Sequence, residues 1–231
     1  MMTGLRSALF LVWFLVITTI LSLIFLPVLA LPRRATVWLA RLWAQLTFWG
    51  LKVFAGIDWE IRGLPPRGAV LVASKHMSMW DTLALYLALY EPAIVLKREL
   101  LRIPFYGWFL GKAAAIPIDR SAGVSALRKM SDAARQVLAQ GRPILIFPEG
   151  TRKKPGAAPD YKPGVAALYG QLDVDCVPVA LNSGVYWTGF LKRPGTIVLQ
   201  FLEPIAPGLK RGAFMTLLEQ RIEGATNQLL P

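Results

Sequence analysis

Cysteine and histidine are almost absent from this chain. Among its 231 residues there is one cysteine, Cys176, and one histidine, His76. A single cysteine excludes an internal disulfide, and the two counts together argue against a protein-bound zinc ion. Any proton transfer by an imidazole near neutral pH must therefore use His76. The length suits one globular domain with an accessory segment.

Motifs of several common enzyme classes are also missing. The chain has no G-x-S-x-G nucleophile elbow, no P-loop and no G-x-G-x-x-G after a predicted strand. Cys176 lies inside an apolar run, which predicts a buried small side chain rather than a nucleophile. A covalent intermediate on the protein is not indicated. What remains is a base that activates the substrate's own nucleophile.

Charge is absent from a long stretch near the amino end. No charged residue lies between Arg6 and Arg33, and residues 7–31 are rich in leucine, isoleucine, valine and phenylalanine. A stretch of this length can span a bilayer or enter it deeply, and Pro27 is expected to kink or end the helix. A cleaved signal peptide is the alternative, but the run is too long for a typical h-region and no small-x-small site follows.

Acidic residues are missing from the first 57 positions, which carry five basic residues. Residues 35–55 mix Arg41 and Lys52 with three tryptophans, a composition typical of a helix lying in the membrane interface. A core helix of the main domain is the alternative. A basic amino end favours anionic lipid. Because Arg33, Arg34 and Arg41 follow the apolar segment, the positive-inside rule predicts an inner-membrane protein with its main domain on the cytoplasmic side.

The net charge of +12 raises the question of nucleic acid as a partner. The basic residues are dispersed, the aromatic residues of the amino end cluster in its membrane-like part, and no familiar nucleic-acid-binding motif is present. We therefore predict no nucleic-acid partner.

From about Ile57 onward, short apolar runs alternate with segments of helical character. This alternation predicts an α/β fold, with a central, mostly parallel sheet flanked by helices. Residues 1–56 are predicted to form an N-terminal two-helix, membrane-associated segment, and residues 57–231 the α/β domain. The predicted strands cover residues 69–74, 93–96, 114–118, 144–147, 176–181 and 196–202, and the predicted helices 82–90, 125–140, 164–172 and 213–229.

The only histidine lies where a predicted buried strand ends and an apolar helix begins, five residues before Asp81. Two residues five apart in one ideal helix lie roughly 140° apart around its axis. The pair can therefore meet only if His76 is in the turn and Asp81 in the first turn of the helix. Ser78-x-x-Asp81 has the form of a capping box and supports that placement. Either the pair is a general base with its orienting carboxylate, or Asp81 only caps the helix and His76 is a satisfied polar residue.

Basic residues follow other predicted strands. Lys97 and Arg120 each come directly after one, and residues 147–152, with the sequence F-P-E-G-T-R, leave another. If these strands are parallel, their carboxyl ends meet at one edge of the sheet together with the histidine, and open α/β sheets bind ligands at that edge. Gly150 lets backbone N–H groups approach a ligand, and Arg152 offers a bidentate fork for phosphate. Each basic residue alone is more commonly a solvated turn residue, but their convergence indicates an anion site.

Four segments, in order, resemble the motifs of the glycerophospholipid acyltransferase family, of the bacterial 1-acyl-sn-glycerol-3-phosphate acyltransferase type. His76-x-x-x-x-Asp81 matches the first motif, residues 97–120 resemble the second, residues 147–152 match the third and residues 177–179 resemble the fourth. H-x-x-x-x-D alone is a weak signal, but F-P-E-G-T-R at this distance makes it strong. The resemblance covers about residues 60–205. Lys75 departs from it, because the family usually has asparagine before the histidine.

The resemblance implies transfer of an acyl chain from acyl-carrier protein (acyl-ACP) or acyl-CoA to the sn-2 hydroxyl of 1-acyl-glycerol-3-phosphate, a lysophosphatidic acid, giving phosphatidic acid. His76 is then the general base and Asp81 the carboxylate that orients its imidazole, with no acyl-enzyme. The partners implied are the lysophospholipid, the thioester donor and the membrane, and no cofactor or metal is implied. The residues implied to surround the substrate phosphate are Lys97, Arg120, Glu149, Gly150, Thr151 and Arg152.

Two alternatives remain. The first is a related O-acyltransferase that uses another lysolipid, such as lyso-ornithine lipid, but an acceptor without phosphate leaves Lys97 and Arg152 with less to bind. The second alternative is a non-catalytic protein that binds anionic lipid through its basic amino end. Lys75 either faces the histidine or contacts the phosphate or carrier acids of the acyl donor.

Overall fold

A computed structural model describes residues 2–119 and 123–231. The helices are α1 Met2–Ile24, α2 Arg33–Gly50, α3 Met79–Ala88, α4 Tyr106–Lys112, α5 Gly123–Leu138, α6 Gly164–Leu172, α7 Ser183–Tyr186 and α8 Arg211–Leu229. The strands are β1 Ile57–Arg62, β2 Leu71–Ser74, β3 Ala93–Lys97, β4 Ile116–Ile118, β5 Ile144–Ile146, β6 Cys176–Leu181, β7 Trp187–Thr188, β8 Leu191–Lys192 and β9 Gly195–Phe201. Short 3₁₀ turns cover Leu26–Ala30 and Arg98–Arg102, and a π turn covers Leu51–Ala55.

Seven strands form one sheet in the order β1-β9-β6-β2-β5-β3-β4. Neighbouring strands are parallel except β6 and β9, which are antiparallel. The predicted α/β fold with a mostly parallel sheet is therefore confirmed. Because β2, β3, β4 and β5 run in the same direction, their carboxyl ends meet at one edge of the sheet.

The two faces of the sheet are buried by different helices, because successive side chains of a strand point to opposite faces. Val72 and Leu145 belong to one hydrophobic cluster, together with residues of α1, α2 and α3. Leu71, Ile144 and Cys176 belong to a second cluster, with residues of α5, α6 and α8. Cys176 is fully buried, and burial raises the pKa of its thiol well above the usual value. The prediction that this cysteine is a core side chain is confirmed.

The first helix lies against the rest of the protein along its length. Ser7 accepts a hydrogen bond from the Lys192 amide, the Trp13 indole donates to the Leu46 carbonyl, and Leu21 packs in a small cluster with Leu39. The opposite side of α1 is exposed and apolar, and the helix is long and apolar enough to cross a membrane. The N-terminal helices thus share a hydrophobic cluster with the sheet. The division at residue 56 stays a prediction, although α2 and its π turn end at Ala55 and β1 begins at Ile57.

The second helix combines an interfacial surface with contacts to the α/β domain. Trp38 and Trp49 are about half exposed, as expected of an interfacial helix. Arg41 points inward instead, and its guanidinium donates to the carbonyls of Tyr86, Leu87 and Leu89 at the end of α3. These carbonyls have no partner within the helix, and a cation is favoured at that end of a helix. Arg41 therefore fixes α2 to the α/β domain rather than contacting lipid.

Candidate active site

The first functional element is the turn between β2 and α3. β2 ends at Ser74, His76 follows in the turn, and α3 begins at Met79 with Ser78 as its N-cap. Asp81 is the third residue of the helix, and the reciprocal hydrogen bonds of a capping box are both present. The His76 Nδ1 atom lies 2.9 Å from Asp81 Oδ2. The histidine precedes the helix and the acid lies in its first turn, as the five-residue spacing required.

The Asp81 carboxylate is buried and fully hydrogen-bonded. Its Oδ2 atom accepts the amides of Met77 at 2.6 Å and Ser78 at 2.8 Å, in addition to the contact with His76. Its Oδ1 atom accepts the hydroxyls of Ser78 and Ser183. Several donors and the positive end of α3 stabilise the ionised carboxylate, although it is fully buried. Asp81 thus both caps the helix and orients the imidazole, so the two interpretations of the sequence are compatible.

This arrangement fixes the tautomer of His76. An ionised carboxylate can only accept hydrogen bonds, so Nδ1 must carry the proton that lies between His76 and Asp81. Nε2 then presents its lone pair, and it has no hydrogen-bond partner among residues 2–119 and 123–231. The imidazole lines a large cavity. The pair therefore has the geometry of a general base oriented by a carboxylate.

Residues from two neighbouring strands hold the histidine turn in place. The His76 ring stacks on Phe147, with a centroid distance of 3.9 Å and an interplanar angle of 20°. The His76 carbonyl accepts the Lys153 amide at 2.8 Å, and the Lys75 amide donates to Val179 at 3.0 Å. Sequence reasoning did not assign the contacts of Phe147 or Ser183. The place of Phe147 in the F-P-E-G-T-R segment could have indicated its contact with His76. Nothing in the sequence indicated the contact of Ser183 with Asp81.

The cavity beside His76 has a volume of about 740 Å³. Most of its wall is apolar and comes from β3, α4, α5 and β5, and it includes Leu96, Leu110, Leu127 and Ile146. Four of the residues predicted to surround the substrate phosphate line this cavity together with His76: Lys97, Gly150, Thr151 and Arg152. The cavity therefore joins an apolar wall to one imidazole and to the cations Lys97 and Arg152. Lys162 also lines it but is paired with Asp160 at 2.7 Å.

The structure separates the predicted phosphate-binding residues into three groups. Lys97 and Arg152 are exposed, line the cavity, and have no carboxylate partner within the described part of the chain. Gly150 has a φ of +63° and forms the bend that brings residues 151 and 152 to the cavity. Its amide donates a hydrogen bond to the Phe147 carbonyl within the same turn. Arg120 lies outside the described residues. Glu149 is not in the cavity wall.

Glu149 points to the opposite side of the histidine turn, where it meets Lys75. The Lys75 ammonium lies 3.0 Å from Glu149 and 2.8 Å from Glu223 on α8, and both Lys75 and Glu149 are almost fully buried. Tyr161 donates a further hydrogen bond to Glu223 at 2.9 Å. Burial raises the pKa of Glu149 more than the Lys75 ammonium lowers it. The Glu149 Oε2 atom is buried and has no hydrogen-bond partner among residues 2–119 and 123–231. Lys75 therefore belongs to a buried ion-pair cluster, and its ammonium is paired with Glu149 and Glu223 rather than exposed to solvent.

Comparisons with known proteins agree with this geometry. The acyltransferase family model matches residues 59–182, which contain the histidine turn, the cavity cations and β6. The chain is 38% identical over 182 residues to the 1-acyl-sn-glycerol-3-phosphate acyltransferase of Pseudomonas aeruginosa, covering 77% of this chain and 70% of that protein. It is 33% identical over 169 residues to the human 1-acyl-sn-glycerol-3-phosphate acyltransferase alpha, covering 70% of this chain and 59% of that protein.

The fold also matches a solved structure over almost its full length. The crystal structure of the 1-acyl-sn-glycerophosphate (LPA) acyltransferase PlsC from Thermotoga maritima superposes with a TM-score of 0.80, covering 97% of this chain and 96% of that one at 20% identity. The oriented histidine, the apolar cavity with Lys97 and Arg152 in its wall, and a family match over more than half of the residues lead to one assignment: this chain belongs to the acyltransferase family.

Proposed function

We propose that this enzyme transfers an acyl chain from acyl-ACP or acyl-CoA to the sn-2 hydroxyl of 1-acyl-glycerol-3-phosphate, giving phosphatidic acid. The observation that carries the proposal is the His76–Asp81 pair at 2.9 Å on the wall of an apolar cavity that also contains Lys97 and Arg152. The acceptor is an amphiphile with an apolar chain, a hydroxyl and a phosphate. The cavity offers a matching surface to each of these three groups.

The reaction follows from the tautomer of His76. Nε2 takes the proton of the acceptor hydroxyl while its oxygen attacks the thioester carbonyl carbon, so an O–C bond forms. The tetrahedral intermediate collapses, the C–S bond breaks, and the imidazolium returns the proton to the departing thiolate. Asp81 stays ionised throughout and stabilises the imidazolium through Nδ1. No covalent enzyme intermediate, metal ion or redox cofactor takes part in this sequence.

Electrostatics support a phosphorylated acceptor over a neutral one. Arg152 and Lys97 are cations without a carboxylate partner in the described ranges, and both face the cavity. Guanidinium and ammonium groups bind phosphate by charge-assisted hydrogen bonds, which are stronger than those between neutral groups. The names of the bacterial and human relatives refer to the same acceptor.

The amino end supports membrane association of the enzyme. α1 exposes an apolar side, and Arg33 at the start of α2 pairs with Glu91 of the α/β domain at 2.6 Å. Because the basic residues follow the apolar helix and are bound to the α/β domain, we extend the proposal to an inner-membrane protein with this domain on the cytoplasmic side. Protease accessibility of the domain in right-side-out and inverted membrane vesicles tests the orientation, and cleavage from the outer side would contradict it.

Acyl transfer to lysophosphatidic acid by the purified full chain in detergent tests the function. We expect phosphatidic acid with at least one of the two donors, and we expect His76→Ala to lower kcat by about 10²- to 10⁴-fold, the contribution of a general base. Cys176→Ala, at a buried position outside the cavity wall, is the control and should retain turnover. Near-normal turnover of His76→Ala would remove the general-base role, and transfer only to lyso-ornithine lipid would replace the acceptor.

A further inference from the structure

A small hairpin beside α1 carries apolar residues at its tip. β7 and β8 pair antiparallel, with Trp187 opposite Lys192, and Gly189 and Phe190 form the two-residue turn. Gly189 has a φ of +59°, which suits the first position of a tight hairpin turn. Phe190 is 54% exposed and Leu191 is 40% exposed. Turns that face water usually contain polar residues, so this tip is unusual for an aqueous surface.

The carbonyl groups of the tip receive their hydrogen bonds from the hairpin itself. The Lys192 ammonium donates to Gly189 at 2.6 Å and to Phe190 at 3.0 Å, and the Thr188 hydroxyl donates to Leu191 at 3.3 Å. In an ordinary surface hairpin, water hydrates such carbonyls. Where water is scarce, as in the acyl region of a bilayer, a backbone carbonyl must find its donor within the protein. This tip meets that requirement without solvent.

The hairpin is fixed to the first turns of α1. The Lys192 amide donates to Ser7 at 2.9 Å, and the rings of Phe10 and Trp187 meet edge to face at 5.6 Å. The Lys192 ammonium also lies 4.5 Å from the centre of the Trp187 ring. On its exposed side α1 presents a stripe of apolar residues at helical spacing: Leu5, Leu9, Val12, Val16 and Ile20. The hairpin tip therefore adds apolar surface next to the helix that is expected to enter the membrane.

The charged residues of the hairpin and of α1 are all basic. No acidic residue occurs in residues 187–195 or in α1. Arg193 is exposed directly after the hairpin, whereas the guanidinium of Arg6 is partly buried and donates to the Phe54 carbonyl. Basic residues at the edge of an apolar surface are favoured at the headgroups of anionic lipids. Both the apolar tip and its basic surroundings fit a lipid surface.

We propose that the β7–β8 hairpin is a further membrane-contact element, beside α1 and the exposed tryptophans of α2, in which Phe190 and Leu191 enter the boundary between the headgroups and acyl chains of an anionic bilayer. A contact away from the α1 axis restricts rotation of the protein about that axis. The hairpin therefore adds to α2 in fixing which side of the α/β domain faces the lipid. This inference builds on the proposed function, because an enzyme with a lipid acceptor needs a fixed orientation at the membrane.

A fluorescent label at the tip tests the contact directly. Cys176 is fully buried, so a Phe190→Cys variant of the full chain has one reactive thiol for an environment-sensitive dye. On transfer from detergent to phosphatidylcholine–phosphatidylglycerol vesicles, we expect a blue shift of the dye emission and quenching by lipids carrying doxyl groups on their acyl chains. The control is Gln136→Cys on α5, an exposed position on the other face of the sheet, which should show neither change. Equal iodide accessibility at both positions in vesicles would overturn the proposal.

Activity provides a second measurement. Phe190→Ser/Leu191→Ser should lower acyl transfer in these vesicles by about tenfold through loss of apolar contact, and it should leave transfer in detergent micelles unchanged. Phe190→Leu, which keeps the apolar tip, should retain activity in both. Equal activity of the double variant and the wild type in vesicles would also overturn the contact. Absence of phosphatidic acid from the wild type in micelles would refute the proposed function instead, so the two failures are distinguishable.

Discussion

Cations lie on both sides of the histidine turn, and they differ in whether carboxylates of the protein pair with them. Behind the turn, the Lys75 ammonium is buried between Glu149 and Glu223. In front of it, Lys97 and Arg152 are exposed to the cavity and have no carboxylate partner in the described part of the chain. The adjacent residues Lys75 and His76 thus lie in different environments: Lys75 is in a buried ion-pair cluster, and His76 is on the cavity wall.

The difference separates residues that stabilise the fold from residues available to a substrate. A buried ammonium requires its carboxylates, because an uncompensated charge in the interior is strongly unfavourable. A solvated cation on a cavity wall carries no such requirement, and a phosphate can take the place of its water. Glu149 therefore acts through Lys75 to hold the third motif against the first, although the resemblance had implied a place beside the phosphate.

The largest effect on stability is expected from breaking the buried group. Lys75→Met leaves Glu149 and Glu223 without their shared cation, and removal of one partner from a buried ion pair costs about 3–5 kcal/mol. Lys97→Met removes a cation of the same kind from the cavity wall and should change the free energy of unfolding by less than about 0.5 kcal/mol. Thermal unfolding in detergent measures both variants. Similar melting temperatures for the two would contradict the distinction.

A double variant shows whether the cost comes from unpaired charge. Lys75→Met/Glu149→Gln replaces a cation and a carboxylate with neutral side chains of similar size, and neutral replacements of buried ion pairs are often tolerated. We expect the double variant to recover part of the stability that Lys75→Met loses, so the two changes should not be additive. Additive losses would mean that packing of the Lys75 side chain, rather than its charge, is what matters.

The next effect is on acceptor binding at the front of the turn. Arg152→Ala removes a guanidinium that has no carboxylate partner among the described residues, and a charge-assisted hydrogen bond contributes about 1.5–3 kcal/mol. We therefore expect the KM for lysophosphatidic acid to rise by about 10- to 150-fold, with the melting temperature unchanged. Arg135→Ala on α5, an exposed arginine paired with Asp132, is the control and should leave the KM unchanged. Arg152→Ala with a normal KM would show that other groups bind the phosphate.

The smallest effect is a pH dependence of stability. Burial raises the pKa of Glu149 above its ordinary value of 4.5, so the folded protein holds this proton to a higher pH than the unfolded chain does. The free energy of unfolding should therefore receive a negative contribution as the pH rises from about 4.5 through the raised pKa. Glu149→Gln removes this pH-dependent contribution to the free energy of unfolding. Glu203→Gln, which replaces an exposed carboxyl group, leaves the contribution in place. Melting temperatures between about pH 4.5 and 7 compare the slopes, and equal slopes in all three proteins would contradict the shift.

Local sequence patterns predicted most of the sheet and the first part of the site. Apolar runs located the six strands β2 to β6 and β9, because strands buried on both faces read as continuous apolar segments. β1 was missed, because Ile57–Arg62 alternates apolar with charged residues at the edge of the sheet, next to the helical amino end. The capping box gave the His76–Asp81 geometry, because it depends on residues within one turn.

Long-range contacts could not be read from such patterns. Lys75 meets Glu223 across 148 positions, and Ser183 meets Asp81 across 102. The tryptophans near Arg41 in the sequence predicted that it contacts lipid headgroups. Its guanidinium instead donates to the carbonyls of Tyr86 and Leu87 at the end of α3. In each case the neighbour that decides the role of the side chain lies on another element.

By itself the sequence determined the fold class, the single possible imidazole base, its orienting carboxylate and the apolar amino end, because periodicity, capping and composition act over a few residues. The tertiary structure alone decided which charges are paired. Parallel strands bring Lys97 and Arg152 to the cavity, and α8 brings Glu223 to Lys75. Burial and the distance between charges determine the electrostatic role of a residue, and both depend on parts of the chain that are far apart in sequence.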